Sequence, residues 1–464
     1  MTDQRIEFAL DLIQKYDRSG PRYTSYPTAP HFHEGFGPAD YRAAARATNT
    51  EAPKRGLSLY YHIPFCDTLC FYCACNKIAT KDRSKAATYL DYLFREIELQ
   101  GALFDNDRPV DQLHLGGGTP TFLSPDQMRS LMAKTGEHFR LRDDDSGEYG
   151  IEIDPRETGP EFIAALRDMG FNRLSIGVQD FDPTVQEAVN RIQPAETTLG
   201  AIEAARSAGF HSLSLDLMYG LPHQDAATFS RTLEAVIEAR PDRLAVFNYA
   251  HLPDLFPPQR RIRDEDLPSP AEKLAILQRT IERLTEAGYV YIGMDHFALP
   301  DDELAVAQRE GTLHRNFQGY STHAHCDLVA MGVTAIGSVG PTYSQNVRGL
   351  DEYYAALDKD ELPIFRGYAL TDEDRLRRAV ITRLMCDFAL DFRRVAGEFG
   401  IAFSEYFADE LADLREMAAD GLLEMSDTGL WVTPRGRLLI RNIAMVFDAY
   451  LRAKEGAQRY SKVI

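Results

Sequence analysis

An α/β fold built on a parallel sheet is what this sequence predicts, and three observations predict it. Short apolar runs alternate with amphipathic spacers of helical period through most of the chain, the pattern of successive βα units. Several of those runs stop at glycine-rich or polar residues, and barrel-like α/β enzymes carry their chemistry at the carboxyl ends of strands. Beyond about residue 368 the character changes to helical stretches with one brief strand signal.

The elements follow in order. A polar leader contains Ser19-Gly20-Pro21-Arg22-Tyr23-Thr24-Ser25-Tyr26-Pro27-Thr28, too proline-broken for a helix and too aromatic for a disordered tag. It is expected to lie across another surface, either as a structural strap or as an arm over an active site that offers Arg22 to an anionic substrate. Strands are predicted at residues 57–65, 112–115, 149–154, 173–179, 212–219 and 243–251, with a seventh at 289–297. Helices are predicted at 87–103, 125–139, 197–208, 226–239 and 270–287, where apolar residues recur at three- and four-residue intervals. The strand ends Gly116-Gly117-Gly118-Thr119-Pro120, Asp154-Pro155-Arg156, Gln179-Asp180-Phe181, and Asp216 with Tyr219-Gly220-Leu221-Pro222 are the places to look for function. Residues 371–464 read as a mainly helical segment with a small β wing at Gly429-Leu430-Trp431-Val432-Thr433. Its acidic run 409–420 favours a packing or lid role over DNA binding. The predicted division is an N-terminal arm, 1–40; a catalytic domain, 41–368; and a mainly helical C-terminal domain, 369–464.

Composition limits the partners. The chain has 51 Lys and Arg against 70 Asp and Glu, a net charge of −19, which speaks against a nucleic-acid partner because phosphate binding needs a basic footprint. No apolar run reaches the roughly 18 residues that a membrane span requires, and the opening residues lack a basic start followed by an apolar core. A cytoplasmic protein with no membrane partner is expected, and the lack of an obvious coiled coil makes a monomer the expected state.

Four of the six cysteines lie in one loop, Cys66-Asp67-Thr68-Leu69-Cys70-Phe71-Tyr72-Cys73-Ala74-Cys75. Thiolates at such spacing are ligands for a soft metal centre. A structural zinc site competes, but it usually draws a second ligand pair from a separate turn and none is evident; a disulfide framework has little purpose in so long a chain. In extended backbone Cys73 and Cys75 point to opposite sides, so Cys66, Cys70 and Cys73 form the expected ligand set. Three thiolates on a four-iron, four-sulfur cluster leave one iron open to substrate or cofactor.

The Cys-x3-Cys-x2-Cys spacing resembles that of the radical S-adenosylmethionine (SAM) enzymes. With Tyr60-Tyr61-His62-Ile63-Pro64-Phe65 before it and Asn76-Lys77 after it, the loop resembles that of the oxygen-independent coproporphyrinogen III oxidase family. Residues 19–28, 115–121, 151–157, 170–181, 242–253, 293–297, 308–320 and 438–442 are similar to segments of that family in the same order, so the resemblance covers essentially the whole chain.

The resemblance implies a partial (β/α) barrel of the radical SAM type with a mainly helical C-terminal domain. It implies a [4Fe-4S] cluster on Cys66, Cys70 and Cys73, and a first SAM contacted by Tyr60, Tyr72, Gly117, Gly118, Thr119, Glu152 and Arg191. It further implies a second SAM near Gln179, Asp216, Ala250 and Ile336, with Phe317 as an aromatic close by. The implied reaction converts two propionates of coproporphyrinogen III to vinyl groups, giving protoporphyrinogen IX, through a 5′-deoxyadenosyl radical, with a reductant such as flavodoxin or ferredoxin. His62 is expected to donate a hydrogen bond to the cluster or relay a proton, and Cys75 to act near substrate or the second SAM. The substrate's four carboxylates require local basic groups, for which Arg22, Arg260, Arg261, Arg263 and Arg315 are candidates. The rival reading is a haem chaperone of the same superfamily, from which the residue at 75 and the leader depart.

Overall fold

The computed structural model describes residues 5–51 and 53–453. They form two compact units interleaved in sequence: the larger comprises residues 32–51, 53–280 and 325–369, the smaller 5–31, 281–324 and 370–453. A division into contiguous segments at 40 and 368 does not coincide with these units, because residues 281–324 pack with the leader and the C-terminal segment.

In the larger unit, β1 (Leu57–Ile63), β2 (Pro109–Gly117), β3 (Glu148–Ile153), β4 (Arg173–Gln179), β5 (Ser212–Tyr219) and β6 (Arg243–Asn248) lie side by side in chain order. Every neighbouring pair is parallel. A helix fills each crossover: α1 (Ser84–Gly101), α2 (Pro125–His138), α3 (Pro160–Asp168), α4 (Ala195–Ala208) and α5 (Ala226–Ala239). The result is a partial (β/α) barrel. Helix starts follow local chemistry. Ser124 and Gln127 form a capping box ahead of Pro125 in α2, and Asp225 with Thr228 does the same for α5.

Alternation within the strands decides which residues meet the interior of the arc. In β4, Leu174, Ile176 and Val178 are buried in the core while Ser175, Gly177 and Gln179 point the other way; in β5, Leu213, Leu215 and Leu217 alternate with Ser214, Asp216 and Met218. On the other side of β1 comes β7 (Asp327–Met331), parallel to it, followed by antiparallel β8 (Ile336–Val339), β9 (Thr342–Asn346) and β10 (Ile364–Ala369). The sequence reading missed these four. All five residues of β9 are buried although Thr342, Ser344, Gln345 and Asn346 are polar, so burial leaves no alternation to read.

In the smaller unit, the strand expected at 289–297 is instead an antiparallel pair, Val290–Gly293 and His296–Ala298. Gly293 (φ 144°) and Met294 (φ 55°) turn the chain back, which an apolar pattern does not reveal. The C-terminal segment is mainly helical, and its wing has three strands, Ala389–Asp391, Leu423–Ser426 and Gly429–Val432. The leader is tied to that segment. Arg441 donates to the Pro21 carbonyl at 2.9 Å, Tyr23 Oη to Asp448 at 2.9 Å, and the Ala449 amide to Tyr26 Oη at 3.0 Å.

Candidate active site

The carboxyl ends of the parallel strands converge on a cavity of about 300 Å³ within the larger unit. Its wall carries Cys66, Cys70, Cys73 and Cys75 from the loop after β1, and Gly117, Gly118 and Thr119 from the end of β2. Glu152 and Asp154 come from the end of β3, Ser175, Gly177 and Gln179 from β4, and Asp216 and Met218 from β5. Thr119 Oγ1 lies 3.5 Å from Cys66 Sγ, and burial pushes that thiol up to about 12. A sulfur so placed becomes a thiolate when a cation sits beside it.

Cys75 does not obey the extended-backbone argument. Residues 71–72 form a turn and Cys75 sits at a bend, with no strand between them, so Cys75 lies on the same cavity as Cys73. The neighbouring Cys75 thiol, with help from Lys77, holds the Cys73 thiol below its ordinary value; Lys77 Nζ also reaches the Cys73 carbonyl at 3.0 Å.

Two arginines flank Cys70. Arg191 Nη1 stands 3.7 Å from its sulfur and Arg156 Nη2 3.9 Å, and both bind Asp154, at 3.3 Å and 2.5 Å. Burial alone would raise Asp154, but these guanidinium groups outweigh it and hold its carboxyl below the usual range. Arg191 also donates Nη2 to the Gly177 carbonyl at 2.6 Å, while its buried Nε has no partner. Glu152 accepts from the Gly117 amide at 3.3 Å. Across the cavity Asp216 accepts from Ser175 Oγ at 3.4 Å, and burial, reinforced by the charge of Glu152, pushes it up to about 7.

Gly117 has φ 115°, and a Cβ there would meet the His62 ring at 2.7 Å; a Cβ on Gly118 would meet the Phe65 carbonyl oxygen at the same distance. The glycine run therefore lets β2 close against the cysteine loop. His62 lies behind this wall, 7% exposed. Its Nε2 meets the Asn76 carbonyl at 3.1 Å, so Nε2 carries the proton and Nδ1 accepts from Tyr60 Oη at 3.2 Å. Burial lowers its pKa and keeps it neutral.

Of the residues singled out in the sequence, the cavity brings together the four cysteines, Tyr72, Gly117, Gly118, Thr119, Glu152, Gln179, Arg191 and Asp216. Tyr60, His62, Ala250 and Ile336 are in the same unit but off its wall, and Arg22 and Phe317 belong to the smaller unit. Sequence reasoning marked the strand end holding Asp154 and Arg156, and Lys77 in the motif, without giving them a role, and passed over Ser175, Met218 and Phe247; all six line the cavity. Carrying the two-residue period of β4 and β5 to their ends would have found Ser175 and Met218. At the opposite end of the sheet, Asp111, His325 and Cys326 bring ligand-type atoms within 4.8 Å of one another, yet Asp111 is already held by Arg142 at 2.5 Å.

The donor set fits an iron–sulfur cluster and SAM. Several thiols share one cavity, a buried guanidinium keeps an unpartnered N–H for a carboxylate, and two acids stand ready for ammonium or hydroxyl donors. A partial barrel with this site defines a radical SAM enzyme, and the Radical SAM superfamily model matches residues 60–236. The HemN C-terminal domain model matches residues 370–439. The oxygen-independent coproporphyrinogen III oxidase of Pseudomonas aeruginosa is 56% identical over 461 residues, 99% of each chain, and that of Escherichia coli is 52% identical over 465 residues, the whole of both. The solved structure of coproporphyrinogen III oxidase (HemN) from Escherichia coli, described as a radical SAM enzyme, superposes with a TM-score of 0.91 at 50% identity, covering 96% of this chain and 100% of that one. This chain belongs to the oxygen-independent coproporphyrinogen III oxidase family.

Proposed function

We propose that this protein oxidatively decarboxylates two propionate side chains of coproporphyrinogen III to vinyl groups, giving protoporphyrinogen IX. The observation that carries the reading is the cavity at the strand ends, where Cys66, Cys70 and Cys73 stand with Arg191, Glu152 and Asp216. Cys66, Cys70 and Cys73 would hold the [4Fe-4S] cluster. Tyr72, Gly117, Gly118, Thr119, Glu152 and Arg191, with Tyr60 behind the wall, would hold a first SAM; Gln179, Asp216, Ala250, Phe317 and Ile336 are assigned to a second. When bound, cluster and SAM would supply one-electron radical chemistry at the propionate β-carbon, with carbon dioxide leaving and one electron passing to an external acceptor for each vinyl group formed.

The protein's own residues do the rest. Arg191 offers its unpartnered Nε to a carboxylate, and Glu152 accepts from an ammonium or ribose hydroxyl. Rigid strand ends fix the distance between reacting atoms, and the enclosing wall keeps out water that would divert the reaction. His62, with both ring nitrogens engaged, positions Tyr60 and the cysteine loop. A one-electron donor such as flavodoxin or ferredoxin, a monomeric state and a cytoplasmic setting complete the proposal.

The test is an anaerobic assay of cluster-loaded protein with SAM, a reductant, an electron acceptor and coproporphyrinogen III. Protoporphyrinogen IX and 5′-deoxyadenosine are expected together. Deoxyadenosine without porphyrin product would remove the substrate assignment, and a stoichiometric haem complex without decarboxylation would favour a chaperone.

A further inference from the structure

Three guanidinium groups gather in the smaller unit. Arg441, 2% exposed, donates to the carbonyls of Gly20 and Pro21 and so holds the leader immediately ahead of Arg22. Arg22 pairs with Asp295. Arg315, on the short hairpin strand His314–Asn316, donates Nε to the Arg22 carbonyl at 3.3 Å and lies over the Tyr320 ring at 4.7 Å. The three charges press on one another. Burial first and the charge of Arg22 second bring Arg441 down to about 10, with Arg315 adding to the effect; Asp295 acts the other way but more weakly than Arg22.

Buried cations are ordinarily paired, and truncated pairing is costly. Arg315 is 6% exposed, yet its Nη1 is buried with no hydrogen-bond partner. Its Nε holds the backbone of Arg22, so the guanidinium is fixed in direction before any ligand arrives. A planar fork held in this way suits a carboxylate better than a point charge does. The other candidates differ. Arg263 is exposed and paired with Asp266 at 2.8 Å and Glu265 at 3.2 Å, Arg260 is exposed and donates to the Pro253 carbonyl at 3.2 Å, and Arg261 lies over the Phe71 ring.

We propose that Arg315, with Arg22 beside it, is the subsite for a propionate carboxylate of the tetrapyrrole substrate, with Asp295 as the positioning residue for Arg22 and Arg441 as the anchor of the leader. The proposal rests on the substrate reading above and identifies which of its cations meets the acid.

The test titrates coproporphyrin III and its tetramethyl ester into full-length, cluster-loaded protein, read by porphyrin fluorescence. Wild type is expected to bind the acid about tenfold or more tightly than the ester. Arg315→Gln should remove most of that preference while leaving the ester's affinity and the melting temperature in place. Should Arg315→Gln fail to fold, Arg315→Lys keeps the charge without the fork and should still weaken the acid several-fold, about 1 kcal/mol or less by the affinity scale. Acid and ester bound alike by wild type, or a variant that weakens neither or both equally, overturns the subsite alone. A wild type that binds neither porphyrin overturns the substrate reading and the subsite with it.

Discussion

Cys75 and Cys73 share a wall of the cavity, and Cys75 is not needed to complete a three-sulfur ligand set. Cys75→Ser should therefore retain the iron–sulfur absorption spectrum and lose turnover by roughly a hundredfold, the lower end of what a positioned proton-transfer group contributes. Full turnover with an intact spectrum would show that Cys75 takes no part. Asp216 makes a separate claim, on stability. Its folded pKa of about 7 lies above the roughly 3.9 of an exposed aspartate, so the stability due to its buried neutral carboxyl is complete below about pH 4 and lost as the pH rises through 7. Asp216→Asn should match wild type near pH 4 and be more stable at pH 8, checked by urea denaturation of the cofactor-free protein at both pH values. An equal difference at both would mean that the side chain is not titrating in that window.

Among the elements, β1 depends on its two parallel neighbours, β2 and β7, and one ion pair locks their amino ends together. Arg108, just before β2, meets Asp327, the first residue of β7, at 2.5 Å, with both side chains at most 1% exposed. Arg108 also donates to Thr48 Oγ1 at 2.7 Å and to the Arg55 carbonyl at 2.9 Å. Removing Arg108 leaves the buried Asp327 carboxylate with only Arg55, 41% exposed and 3.7 Å away, to oppose its charge. Arg108→Met should cost about 3–5 kcal/mol of stability, measured by chemical denaturation. The same pair explains a lapse in the reading of the sequence. Asp327 opening a strand looks like a turn residue until Arg108, 219 positions away, is seen to neutralise it. The six strands β1 to β6 were legible because each has an apolar face and a crossover helix behind it, whereas β9 buries polar residues against other strands.

For the molecule as a whole, the sequence by itself determined the parallel α/β class, the order of the βα units and the cluster loop. Those are local properties, set by periodicity along one strand or helix and by cysteine spacing within a single turn. It also marked Gly117, Gly118, Gln179 and Asp216, because strand ends can be read from where apolar runs stop; Glu152 and Arg191 were marked only by the family resemblance. Only the tertiary structure decided that Cys75 faces Cys73, that Asp154 draws Arg156 and Arg191 beside Cys70, and that residues 281–324 pack with the leader and the C-terminal segment. It alone also separated Arg315 from the neutralised arginines. The reason is physical. Charge pairing and burial depend on distances between residues far apart in the chain, and those distances exist only after the strands have been laid side by side.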